Sequence, residues 1–149
     1  FTAPINTKNI HRSNSLMNHF YGEDFCYNEM WVQGSGDAGK AAADFISSSN
    51  PLSDAPKPGE GPSRESRENG NYDVLFCGDI DEQSVHVSVK GDMDPGYGST
   101  SKMISESAIC LVKECEDLHG GIYTPAPAMG TKLIQRLQDN AGLTFEIEN

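Results

Sequence analysis

The chain has 149 residues and a formal net charge of −11, a length that suits one domain and a charge that repels nucleic acid and anionic membranes. Its apolar share of 36 % beside 22 % charged residues allows one modest core and a sizeable unstructured part. No apolar run approaches the roughly 20 residues of a membrane span, and no basic-then-apolar leader is visible, so a soluble, cytoplasmic protein is expected. The chain opens on Phe1 rather than Met, which suggests a segment of something longer. Cys26, Cys77, Cys110 and Cys115 have no CxxC spacing, which predicts reduced, buried thiols rather than a disulfide.

In chain order, the polar stretch from Asn6 to Met17, with Ile10, Leu16 and Met17 as its apolar positions, permits a short helix capped by Asn6 or Thr7. Phe25, Tyr27, Glu29 and Trp31 alternate with Cys26, Asn28, Met30 and Val32, and the aromatic face predicts a strand. Lys40 to Ile46 is Ala-rich and helical in pattern. From Ser47 to Asn71 periodicity disappears, and Pro51, Pro56, Pro58 and Pro62 mix with Ser, Gly and alternating charge, which predicts a long flexible loop.

Tyr72, Val74 and Phe76, then Val85, Val87 and Val89 across the turn Asp81-Glu82-Gln83, spell a β-hairpin. After a glycine-rich loop from Gly91 to Thr100 comes a helix whose Ile104, Ala108, Leu111 and Cys115 mark the expected inner face, stopped by Gly120 and Gly121. Thr124-Pro125 reads as an N-cap and first helical residue. The helix it opens should carry Leu133, Ile134 and Leu137 inward, with Lys132, Arg136 and Asp139 outward. Gly142 closes it, and Leu143, Phe145 and Ile147 alternate as a last strand. Strands and helices intermix without a repeating strand-helix unit, so the expected class is α+β, a mostly antiparallel mixed sheet with helices covering one face.

Gly34-Ser35-Gly36-Asp37-Ala38-Gly39 matches the dinucleotide pattern GxGxxG. Such a loop needs a second strand after its helix to present an acid to the ribose, and the proline-rich stretch occupies that place. With Lys40 the same residues also approach a phosphate-binding loop, but Ala41 stands where a hydroxyl must hold magnesium. A flexible glycine turn is therefore the expectation. Asp92, Asp94 and Gly96 start like a calcium loop, yet the twelfth position is Met103 instead of Glu. His11, His19, His86 and His119 have no metal-ligand spacing. No nucleophile signature occurs, and Asp79 and Asp81 flank a hairpin turn where solvated acids are usual. Catalytic residues thus stay unknown, and no metal is expected.

The loop from Gly91 to Ser101 holds most of the candidate chemistry. Gly91, Gly96 and Gly98 relax the backbone, Tyr97 offers a ring and a hydroxyl, and Ser99, Thr100 and Ser101 bring hydroxyls and amides to a helix start that can receive an anion. The competing account is a tight turn and a capped helix.

The string DPGYGSTSKM from Asp94, SESAICL from Ser105, API at Ala3, RSN at Arg12-Ser13-Asn14, GEGPS at Gly59 and GGIYTPA at Gly120 together resemble the C-terminal part of saccharopine dehydrogenase-like oxidoreductases, including the trans-acting enoyl reductase branch. The resemblance spans nearly the whole chain and is weakest around residues 33–56. It implies that residues 1–149 are a single α+β domain on the substrate and subunit-contact side, lacking an upstream Rossmann domain that binds NAD(P). By the same resemblance, Arg12 would hold an anionic group of a small-molecule substrate, with Asn14 beside it. Tyr97, Ser99 and Thr100 would line the cleft, and Asp92 and Asp94 would order the loop. Homodimerisation is implied as well, and also follows from sheet faces that few helices can cover. The alternative is a non-catalytic interaction or assembly module that keeps only the fold.

The chain alone, lacking a strand after Gly39 to complete a dinucleotide site, is expected to give no heat of NADPH or NADH binding in a calorimetric titration. Micromolar binding would overturn this division of the domains.

Overall fold

The computed structural model describes residues 2–49 and 59–148. Helix α1 (Ala3–Leu16) begins three residues before the expected Asn6, because Pro4 sits in the first turn, where its missing N–H costs nothing. Helix α2 (Gly36–Ser48) extends the predicted Ala-rich stretch at both ends, and α3 (Arg64–Asn69) is a short helix inside the span expected to be loop. Strands β1 (Tyr72–Ile80) and β2 (Gln83–Gly91) form the hairpin. Helices α4 (Gly98–Glu114) and α5 (Pro125–Asn140) and strand β3 (Leu143–Glu148) complete the order. The class is α+β, with an antiparallel sheet in the order β1-β2-β3.

Three expected elements need correction. The aromatic stretch from Phe25 to Val32 is extended but pairs with no strand among the described residues. Its alternation is nonetheless real. Phe25, Tyr27 and Glu29 turn toward α1 and are half-buried, while Cys26, Asn28 and Met30 face out. The Glu29 carboxylate accepts from Thr2 Oγ1 (2.7 Å), Asn6 Nδ2 (2.6 Å) and Tyr27 Oη (2.8 Å). Those donors hold the Glu29 carboxyl below the usual carboxylate range, while burial and the neighbouring carboxylate push Tyr27 up to about 12. A helix face, rather than a strand edge, has claimed the segment.

The loop from Ser47 to Asn71 is the second correction. Ser63 caps α3 by accepting from Ser66 N at 3.1 Å, and Arg67 folds back onto the Pro62 carbonyl at 2.8 Å, which is enough to start one short helix amid polar residues. Residues 50–58, with Pro51, Pro56 and Pro58, lie outside the described residues.

The third correction concerns which face of α4 packs. Ser99, Met103, Ser107 and Cys110 turn inward, whereas Ile104 is 68 % exposed and Leu111 and Val112 also face out. The helix ends at Glu114, well before Gly120. The inner face of α4 follows α5, whose Arg136 was expected outside and instead reaches between Glu106 (2.5 Å) and Glu114 (2.7 Å) of α4. Pro125 and Thr124 start α5 as expected, and Gly130 interrupts it at φ 51°, a left-handed value that suits a residue without Cβ.

The core is small. Leu137, Ala141 and Leu143 form its centre, with Val89, Met103, Leu133 and Phe145 packed around them. Cross-strand ladders Val74–Val89–Phe145 and Phe76–Val87–Ile147 run along the same sheet face. The second ladder lies beyond the reach of the helices, with Phe76 about half exposed and Ile147 largely so. At the covered end the Tyr72 ring lies across Gly91, so closely that a Cβ there would fall inside it. Tyr72 Oη meets Ser99 Oγ at 2.8 Å, which ties the sheet to the start of α4.

The accessible surface of 11386 Å² exceeds the roughly 7,500 Å² expected for a folded monomer of 16.2 kDa by about half. The cysteines fit this exposure. Cys110 is buried, but Cys26 and Cys77 are exposed, contrary to expectation.

Replacing Arg136 with Ala leaves two partly buried carboxylates facing each other, so urea unfolding should show a loss of about 3 kcal/mol. A loss below about 0.5 kcal/mol, the level of an exposed pair, would show that the two contacts are not needed to join α4 and α5.

Candidate functional site

The loop between β2 and α4 places Asp92, Asp94, Tyr97, Ser99 and Thr100 together. Pro95 cannot continue a strand, and Gly96 and Gly98 let the chain double back over the Asp94 side chain. The Asp94 carboxylate accepts the amides of Gly96 (3.1 Å), Tyr97 (2.7 Å) and Gly98 (2.9 Å). Those amides, with Gly98 and Tyr97 contributing most, hold the Asp94 carboxyl below the usual carboxylate range. An anion built into the chain thus sits at the helix start, where an external anion would compete for the same donors. Ser99 is fully buried and spends its hydroxyl on Tyr72. Thr100 Oγ1 donates to the Pro95 carbonyl at 2.6 Å, and Asp92 is paired with Lys102 at 2.7 Å. Tyr97, like Asp92 and Thr100, is exposed, with 53 % of its surface open.

Sequence reasoning did not assign the segment that covers this loop. The Arg67 carbonyl accepts Asp94 N at 3.0 Å, Gly61 lies against the Tyr97 ring, and Tyr97 Oη reaches the Glu60 carbonyl at 3.5 Å. Gly70 packs so tightly on Asp94 that a Cβ would come within 2.6 Å of it. The available signal was the GEGPS string at Gly59, since a proline and two glycines before a Ser cap mark a chain that must turn closely over a neighbour.

Arg12 and Asn14 sit on α1. Asn14 is buried, donates from Nδ2 to the Gly22 carbonyl (2.8 Å) and accepts Tyr21 N (2.9 Å). It thereby fixes the turn in which Asn18 and His19 adopt left-handed φ of 55° and 57°. The Ser13 and Thr124 hydroxyls meet at 2.6 Å, joining α1 to the start of α5 and taking the oxygen expected to cap that helix. Arg12 is exposed and, among the described residues, makes one hydrogen bond, from Nη2 to the Ile122 carbonyl at 3.3 Å. Among the described residues, no hydrogen bond or ion pair links Arg12 or Asn14 to the Asp94 loop.

A shallow groove of about 380 Å³ opens where α4 ends against the α5 kink, lined by Cys115, Leu118, Pro127, Met129 and Lys132 among others. No candidate residue lines it. Burial raises the Cys110 thiol pKa, which disfavours the reactive thiolate. No group of three or more potential metal ligands converges among the described residues, and no described helix is long and apolar enough to cross a membrane. The residues after Gly34 do not fit a dinucleotide. The segment before them is not a strand, the next described element is α3, and Gly39 packs against the Gly34 carbonyl, so no strand-helix-strand unit is present among the described residues.

The fold and loop therefore define an α+β domain with an internally braced glycine-hydroxyl loop. The chain is similar to trans-acting enoyl reductases of mycobacteria. A Mycobacterium tuberculosis protein provisionally so named is 33 % identical over 91 % of the chain, and the trans-acting enoyl reductases of Mycobacterium ulcerans and Mycobacterium bovis are 29 % identical over the same share. The chain spans 37 % of the length of these curated relatives. No protein-family model matches it, and no solved structure matches it.

Because the folded-state pKa of Asp94 is depressed, its cap contributes stability above the unfolded carboxylate pKa of about 3.9, and that stability is lost as pH falls through the lower folded value. Asp94→Asn, which removes the charge and one of the two accepting oxygens, should therefore cost about 1 kcal/mol at neutral pH, and the gap to the native chain should shrink in acid. Parallel denaturant curves at stepped pH would show this, and a gap independent of pH would remove the charge from the account.

Proposed function

We propose that the chain is the substrate-side and subunit-contact domain of an oxidoreductase that reduces enoyl groups, with NAD(P) held by a Rossmann domain elsewhere in the parent polypeptide. The observation that carries this reading is the similarity to trans-acting enoyl reductases along 91 % of the chain, which covers 37 % of their length. The excess accessible surface supports it, since a domain built to pack within a larger protein leaves apolar area uncovered when considered alone.

Within that reading Arg12 and Tyr97 are the side chains that meet substrate. Among the described residues Arg12 gives one guanidinium nitrogen to a carbonyl, and Tyr97 presents a half-exposed ring on a braced loop. Asn14, Asp92, Asp94, Ser99 and Thr100 are positioning residues, since each spends its polar atoms on this chain. The parent is read as a homodimer, and the isolated domain as inactive. The internal satisfaction of the loop also favours a second reading, a domain that keeps the fold as an interaction module.

In the full-length parent, Arg12→Lys and Tyr97→Phe should each lower kcat/KM about ten- to a hundredfold, roughly 1.4–2.8 kcal/mol, with the melting temperature unchanged. Unchanged kinetics in both variants would favour the interaction module.

A further inference from the structure

We infer that the stretch from Phe25 to Val32 is a strand whose backbone partner is a strand edge in the part of the parent polypeptide outside residues 1–149. This rests on the longer parent of the reading above and names a surface that joins its two parts. Helix α1 claims only one side-chain face of the stretch. The Phe25 ring meets His11 edge-on, with centroids 5.6 Å apart, and the Glu29 carboxylate meets Thr2 and Asn6 at the other end of the helix. From His11 back to Thr2 a helix covers about 13 Å, and the four steps from Phe25 to Glu29 cover about the same distance when the backbone is extended as a strand. The side chains therefore hold the stretch straight, and its backbone edges stay open. Among the described residues no main-chain hydrogen bond is made from Phe25 to Val32; the Glu29 N–H is given to Asn28 Oδ1 at 2.9 Å.

An extended run with open donors and acceptors presents what a sheet edge presents, and the surface that matches it is another strand. Composition agrees, since Phe25, Tyr27, Trp31 and Val32 favour strands. The one charge in the run, Glu29, already accepts three hydrogen bonds, so no unpaired carboxylate faces a neighbouring backbone. Position names the occupant. By alternation Trp31 shares a face with Phe25, Tyr27 and Glu29, but it lies two steps, about 7 Å, past the residue that meets Thr2. There Met30, Trp31 and Val32 are 83, 70 and 89 % exposed, which leaves a large aromatic anchor and its neighbours uncovered on a stretch that is itself held in place. That end of α1 is where the polypeptide enters the helix, so any part of the parent that precedes α1 is delivered beside Trp31. The chain spans 37 % of the length of its curated relatives, and the remainder of such a polypeptide is long enough to supply a strand. A tethered strand acts at an effective concentration on the order of millimolar, whereas a second copy brings another charge of −11 and is repelled.

The test uses the full-length parent. In hydrogen–deuterium exchange of the unmodified protein, at least alternate amides from Tyr27 to Val32 should exchange about tenfold or more slower than an open chain, because a paired edge ties up every second N–H. The occupant is read by replacing Trp31 with the photo-crosslinker benzoylphenylalanine and irradiating a mixture of isotopically light and heavy parent. The link should run to a peptide outside residues 1–149 of the same polypeptide. Exchange at open-chain rates across the stretch overturns the strand. A link that joins light to heavy chains puts a second copy in place of the tethered strand, and a link to another residue within 1–149 puts this domain itself there; either overturns the inference. Free exchange in a parent that reduces enoyl groups overturns the strand and leaves the functional reading intact. Protected amides with the expected link, in a parent that reduces no enoyl group, uphold the strand and overturn that reading.

Discussion

Arg136 holding Glu106 and Glu114 is the contact on which the helical half of this domain depends. The two carboxylates are two turns apart on α4 and face the same way, so a single guanidinium can bridge both and set the rotation of α4 about its own axis. The hydrogen bonds to Glu114 and Glu106 raise the Arg136 pKa still further, which keeps the guanidinium charged. Lys132 adds a hydrogen bond to the Glu114 carbonyl at the end of α4. Once α4 is fixed in this rotation, Ser99 meets Tyr72, Met103 meets the core, and Ile104, Leu111 and Val112 are left outside.

The same arrangement explains why the core is so small. Helix α5 reaches the sheet at Leu143, Phe145 and Val89, and its partner α4 packs beside it rather than further along the strands. Among the described residues, no helix packs on the distal ladder Phe76–Val87–Ile147. A three-stranded sheet half covered by one helix hairpin is marginal by itself. It becomes reasonable when further protein surface closes over it.

The braced loop after β2 joins these two halves. Asp94 fills the amides at the α4 start, α3 supplies a carbonyl to Asp94 N, and Lys102 pairs with Asp92. The result is a rigid support for Tyr97, whose half-exposed ring rests against Gly61.

Local chemistry was enough for the sequence to determine the hairpin from Tyr72, the start of α5 at Thr124-Pro125, the last strand after Gly142 and the α+β class, because turn residues and period-two alternation act within a few residues of chain. It also placed the glycine-hydroxyl loop, while leaving open whether its polar groups point outward or back into the chain. The tertiary structure decided what depends on distant partners. Phe25 to Glu29 alternates as a strand would, but Thr2 and Asn6 supply its partners, and no local pattern specifies that choice. Helix α4 has apolar residues on two faces, and an ion pair from 22 and 30 residues away selects the one that packs. Periodicity reports which residues share a face, and only long-range contacts say what that face meets.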